Sequence, residues 1–174
     1  VKWHPSGEFL VSCSYDNSIK IWKEDVEEEW NCVQTVEAHD STVWSVDFTL
    51  DGSTMISSSD DRSVKIWKVT NPKSTTPKIT LSSCLTGYHD RTVFSVSISS
   101  AGYIATGASD QHPMSINESA GCGDDGIRVF RLRVDDDMDA AKTESLCYLE
   151  KAHRSEERRV GKDVDLGGRR IIKK

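Results

Sequence analysis

Two histidine–aspartate pairs are the residues in this chain best suited to chemistry. His39 precedes Asp61 by 22 positions, and His89 precedes Asp124 by 35. An imidazole held by a carboxylate is a common general-base arrangement, but it needs a matching nucleophile. Five cysteines, Cys13, Cys32, Cys84, Cys122 and Cys147, could in principle ligate metal or form disulfides. Their number is odd, no two stand at CxxC spacing, and the five histidines are equally scattered. That pattern predicts reduced thiols acting as small core hydrophobes, with no metal site and no disulfide framework. The His–Asp pairs recur beside an aromatic residue at matching positions, with no nucleophile recurring alongside. They are therefore expected to be structural. No catalytic residue and no cofactor is assigned, and the chain is read as a non-enzyme.

The elements that must position these residues are short strands. Residues 39–67 read HDSTVWSVDFTLDGSTMISSSDDRSVKIW. Three runs alternate as strands do, at 43–48, 54–57 and 63–67. Turns are expected at Leu50-Asp51-Gly52 and at Ser59-Asp60-Asp61-Arg62. The unit repeats. At a shift of 45 positions, Ser14-Tyr15-Asp16-Asn17-Ser18-Ile19-Lys20-Ile21-Trp22 falls on Ser59 to Trp67. At a shift of 50, Asp90 to Val96 falls on Asp40 to Val46. The third copy closes at Asp124-Asp125-Gly126-Ile127-Arg128-Val129-Phe130, with Phe130 in the tryptophan place. A fourth copy only begins, at Ala152-His153.

A period of about 40–45 residues, with His near the start and Trp ending the third strand, is the signature of WD40 propeller blades. Such a blade is a small antiparallel sheet that needs neighbours to cover its faces. In the middle unit His39, Ser57, Asp61 and Trp67 are expected to form one buried hydrogen-bonded network. Asp16 and Trp22 fill the same places in the first unit, and His89 and Asp124 in the third. Trp44 is read as packing between blades.

Taken in order, the chain divides into blades at about 1–37, 38–86 and 87–153. Val1 is not Met and falls within an apparent strand, so a longer reading frame is expected. Two prolines and several Ser/Thr mark 71–78 as a surface loop. Residues 108–121 are polar and pattern-free, and lengthen the third unit; a long loop and unspliced transcript both account for them. Residues 131–142 read as an acidic connector. The final 21 residues look foreign: RSEERRVGK resembles the translation of a common sequencing adapter, and 154–174 are expected to be disordered. That tail holds eight of the 22 basic residues, which leaves the first 153 residues with a net charge of −10. An acidic body argues against a nucleic-acid partner. No apolar run approaches the length of a membrane span.

The individual spellings are more specific than the repeat. WHPS at 3–6, SYDNSIKIW at 14–22, EEEWNC at 27–32, HDSTVWSV at 39–46, SSDDRSVKIW at 58–67, YHDRTVFSV at 88–96 and CGDDGIRVF at 122–130 occur in this order. Together they resemble the WD40 family of the cytosolic iron–sulfur protein assembly machinery, over residues 1–153 apart from 108–121. The resemblance implies an all-β fold: about three four-stranded antiparallel blades of a seven-bladed WD40 propeller. It implies a scaffold of the targeting complex that brings iron–sulfur clusters to cytosolic and nuclear apoproteins. The implied partners are other assembly proteins and apoprotein clients, in the cytoplasm and also the nucleus. The alternative within binding modules is a WD40 adaptor of a ubiquitin ligase or signalling assembly. Family members can carry a Leu-Tyr-Arg triplet proposed to contact a cochaperone. Here Ile21-Trp22-Lys23 stands in its place, and Lys lacks the planar fork of Arg. Further partner-contact candidates are the turn residues Tyr15, Asn17, Asp60 and Arg62, with Arg91 on a leading loop.

Overall fold

The computed structural model describes residues 1–109, 126–133 and 142–149. Twelve strands form three four-stranded antiparallel sheets, and no helix occurs among the described residues. The first sheet holds β1 (Lys2–Trp3), β2 (Leu10–Cys13), β3 (Ser18–Glu24) and β4 (Trp30–Glu37). The second holds β5 (Val43–Phe48), β6 (Thr54–Ser59), β7 (Val64–Thr70) and β8 (Lys78–Leu85). The third holds β9 (Val93–Ile98), β10 (Tyr103–Ala108), β11 (Gly126–Arg133) and β12 (Lys142–Leu149). Within each sheet every strand pairs with its neighbour in sequence, so each is a simple meander.

The turns explain why the strands stop where they do. The β1–β2, β5–β6 and β9–β10 turns are each closed by one backbone bond. Gly7 N–H donates to His4 O (2.8 Å), Gly52 to Thr49 O (2.9 Å) and Gly102 to Ser99 O (3.0 Å). The glycine in each has φ between +72° and +77°, a region costly for residues with a Cβ. Sequence alternation then sends successive side chains to opposite faces of each sheet.

The sheets stack face to face, with the second enclosed between the others. One apolar cluster joins Phe9, Val11, Ile19 and Ile21 of the first sheet to Val46, Phe48, Met55 and Trp67 of the second. Another joins Ile56, Val64 and Ile66 of the second to Val93, Val96, Ile104 and Phe130 of the third. Met55 and Ile56 are sequence neighbours on opposite faces. All six residues of β6 are buried for that reason, three serines included. The Trp67 face of the second sheet turns toward the first sheet, and the Phe130 face of the third turns toward the second.

Two expectations change. The segment 131–142 is not all connector, since β11 runs to Arg133 and β12 begins at Lys142. Cys32, Cys84 and Cys147 are exposed on the outer strands β4, β8 and β12, not core hydrophobes. An outermost strand presents part of its surface to solvent, and these thiols fall there. Cys13 is half-buried, and burial pushes its thiol pKa up. Cys122, Asp124 and most of 108–121 lie outside the described residues, as does the tail at 154–174. Ala108 nonetheless pairs with Gly126, so the two ends of that insertion meet side by side.

Candidate protein-interaction surface

Beneath one rim of the second sheet lies a continuous chain of hydrogen bonds. The Trp67 indole N–H donates to Ser57 Oγ at 2.8 Å. His39 Nδ1 lies 2.8 Å from Asp61 Oδ2, and His39 Nε2 lies 2.8 Å from Ser57 Oγ. With the imidazole neutral, these contacts fix one direction. Nδ1–H donates to the carboxylate, Nε2 accepts, and Ser57 O–H must donate to it. Asp61 also accepts the backbone N–H of Asp40 (3.1 Å) and of Ser63 (2.9 Å), and the Ser63 hydroxyl at 2.6 Å. Burial alone would push the Asp61 carboxyl up. Hydrogen bonds from His39 and Ser63 outweigh it and hold the group well below the usual carboxylate range. The His39 side chain has no exposed surface. No substrate can reach its imidazole in this arrangement.

The other sheets carry parts of the same pattern. Trp22 donates to Ser12 Oγ at 2.8 Å, and Asp16 accepts the Ser18 hydroxyl at 2.6 Å. The Ser18 bonds, helped by Ser14, lower the pKa of Asp16 although the residue is exposed. In the third sheet His89 Nε2 lies 2.9 Å from Thr106 Oγ1. Phe130 supplies no N–H there, and packs edge-on against Tyr88 instead, with centroids 5.0 Å apart.

Above this lattice the turns and leading loops of consecutive sheets interlock. Val43 N–H donates to Ser14 O (3.0 Å) and Ala38 N–H to Asn17 O (3.0 Å). Asp60 accepts the hydroxyl of Ser41 (3.1 Å) from its own sheet and that of Thr92 from the next. This places Tyr15, Asn17, Asp60, Arg62 and Arg91 at one end of the stack. Tyr15 is 82% exposed, and Arg62 and Arg91 are exposed as well. Asn17 and Arg62 both have φ of 69°, so Arg62 occupies a conformation that disfavours most side chains.

The triplet at 21–23 does not form a surface unit. Ile21 is fully buried between the first two sheets, so partner contact there is corrected to core packing. Strand alternation sends its side chain to the face opposite Trp22. Trp22 is half-buried and bonded to Ser12, and Lys23 lies 3.5 Å from Glu8 as an ion pair.

Three features lie outside the hydrogen-bonded network of the repeat. Asp47, the acidic residue of β5, is buried between β1 and β9. Its carboxylate takes Lys2 Nζ of β1 at 3.0 Å and the Ile98 N–H of β9 at 2.9 Å. Burial opposes ionisation, but the Ile98 N–H and Lys2 overcome it and lower the pKa. The His4 ring stacks on Phe9 and reaches Gly52 of the second sheet. Register shifts at Trp44 and at Phe94 mark β-bulges at equivalent places on β5 and β9. A charge in a buried strand was the available signal for Asp47; nothing local in the sequence marks a bulge.

Three meander sheets, repeated turn glycines and a His–Ser–Trp–Asp lattice define a WD40-repeat chain with the architecture of β-propeller blades. The family model described as "WD domain, G-beta repeat" matches residues 1–23 and 30–68. Among curated proteins, the chain is similar to the "Probable cytosolic iron-sulfur protein assembly protein Ciao1" of Culex quinquefasciatus. They are 37% identical over 124 residues, which cover 65% of this chain and 32% of the relative. The "Probable cytosolic iron-sulfur protein assembly protein 1" of Pyricularia oryzae is 51% identical over 43 residues, 25% of this chain and 10% of that protein. The "CIAO1 homolog" of Dictyostelium discoideum is 46% identical over 41 residues, 24% and 12% respectively. The chain thus spans about a third or less of the length of these curated relatives.

Proposed function

We propose that this chain serves as part of a non-catalytic interaction scaffold in the assembly of cytosolic iron–sulfur proteins. In that role it helps clusters reach cytosolic and nuclear apoproteins, with other assembly proteins and the apoprotein clients as its partners. The similarity to proteins named for that assembly, extending over 65% of the chain in one case, carries the reading. The site supports it: the imidazole–carboxylate pair is sealed inside the sheet, whereas exposed side chains gather at the rim above it. Rims of this kind are suited to binding other proteins, and chemistry at His39 would require the sheet to open. The cytosol is the proposed location, with the nucleus as well.

Affinity capture tests this. The tagged chain is expected to recover iron–sulfur assembly proteins from a cytosolic extract. Recovery of only ubiquitin-ligase or signalling components would overturn the proposal in favour of a different WD40 adaptor.

A further inference from the structure

Trp44 and Phe94 occupy equivalent positions in consecutive repeats, and both sit on bulges. In β5 the register passes from Val43↔Ser59 to Ser45↔Ser58, which leaves Trp44 without a ladder partner. In β9 it passes from Ser95↔Gly107 to Val93↔Ala108, which leaves Phe94 likewise unpaired. A bulge re-aims the extra side chain away from the sheet. Here it does so twice, each time with an aromatic ring.

The rings meet across the joint between the two sheets, edge to face, with centroids 5.3 Å apart. They shield each other only partly. Trp44 remains 45% exposed and Phe94 49%. Packing between blades therefore accounts for about half of their surface. Their contact also orders both rings before any partner arrives.

The charge around them is mainly negative. The turns and leading loops at this end, residues 14–17, 38–42, 59–62 and 88–92, expose Asp16, Asp40, Asp60 and Asp90 against Arg62 and Arg91, while Asp61 is turned inward to His39. Lys65, the strand lysine below Asp61, is turned inward to the Ala38 carbonyl at 2.9 Å. Asp40 is exposed, four residues before Trp44. An aromatic face attracts a cation, tryptophan most strongly, and a planar guanidinium also stacks on it.

From this we infer that Trp44 and Phe94 form a docking platform for an arginine-bearing, net-basic segment of a partner protein. The inference rests on the scaffold reading and gives it a face and a partner chemistry.

Peptide titration of the full 174-residue chain tests it. The probes are a short arginine-containing basic peptide, the same peptide with citrulline for arginine, and an acidic peptide of equal length. The arginine peptide should bind at least tenfold more tightly than either of the others, and less tightly in high salt. Trp44→Ala and Phe94→Ala should each weaken it severalfold or more, Trp44→Phe less, and Asp40→Asn modestly. Circular dichroism of each variant should match the parent, since both rings are half exposed. Equal binding of the arginine and citrulline peptides, or no measurable arginine binding, would overturn the platform. So would unchanged affinity in folded Trp44→Ala. Capture from cytosol separates the two readings. If the parent chain and the double alanine variant both recover assembly proteins, only the platform fails. If the parent recovers none, the scaffold reading fails, and the titration still decides the platform.

Discussion

His4 and Gly52 hold two sheets together at the end opposite the aromatic pair. The imidazole Nε2–H donates to the Gly52 carbonyl at 3.0 Å, while Nδ1 accepts from Ser6 N–H at 3.2 Å. A Cβ on Gly52 would stand 2.3 Å from His4 Nε2, and Gly52 has φ of +72°. Both the conformation and the space therefore require glycine. Gly52→Ala should destabilise the chain by about 2–4 kcal/mol, the sum of left-handed strain and displacement of a buried ring. Chemical denaturation measures it. Because Gly7 has nothing within 4 Å of its added Cβ, Gly7→Ala should cost only the conformational part, about 1 kcal/mol.

Ser57 is the joint between Trp67 and His39, and its loss strands two buried groups. Ser57→Ala should cost about 2–4 kcal/mol, from an indole N–H and an imidazole nitrogen both left without partners. Ser12→Ala should cost less, about 1 kcal/mol, because Trp22 is only half-buried and water can reach its N–H. Ser58 gives a control one residue away. Its buried hydroxyl has no hydrogen-bond partner among the described residues, so Ser58→Ala should be neutral or stabilising within about 1 kcal/mol. Thermal melts of the three variants rank them.

The Asp61 carboxyl has a lower pKa folded than unfolded, so its contribution depends on pH in one direction. It is fully present above the ordinary carboxylate value of 3.8 and is lost as pH falls below it toward the depressed folded value. Asp61→Asn should cost about 1.5–3 kcal/mol at neutral pH. The variant should also show a shallower fall in stability on acidification below about pH 4. Urea titrations at neutral and acid pH check both. A parallel shift with unchanged pH slope would contradict the assignment.

Asp47 and Lys2 form an ion pair whose halves should differ in weight. The Lys2 side chain is 52% exposed, so Lys2→Ala should cost less than about 1 kcal/mol, and less still in salt. Asp47→Ala also removes the acceptor for the Ile98 N–H, and should cost about 1–3 kcal/mol with little dependence on salt. Asp47→Asn keeps an acceptor oxygen and should fall between them. Denaturation at low and high ionic strength separates the three.

The fold was legible in the sequence because repetition amplifies weak signals. One Ser-Asp-Asp turn before an alternating run means little alone; the same spelling at 14–22 and 59–67 fixes two strands and their turn together. The network at His39, Ser57, Asp61 and Trp67 was selectable for the same reason. Asp47 was missed because its counterpart at the 50-residue shift is Ser97, so no pattern repeats. Ser97 instead donates to Asp47 itself at 3.3 Å, a complementarity invisible to an alignment of like with like. The bulges at Trp44 and Phe94 were missed because period-two alternation carries no mark for one extra residue. Ile21 was misread as surface because a triplet within a strand is split between its two faces.

The stacking has a direction. The Trp67 face always looks back to the preceding sheet and the Ile56 face forward to the next, so every joint is built from one plug and one socket. A row of such couplings can gain or lose a unit by duplication or deletion without redesigning the remaining joints. A change to Trp67, by contrast, is felt in two sheets at once.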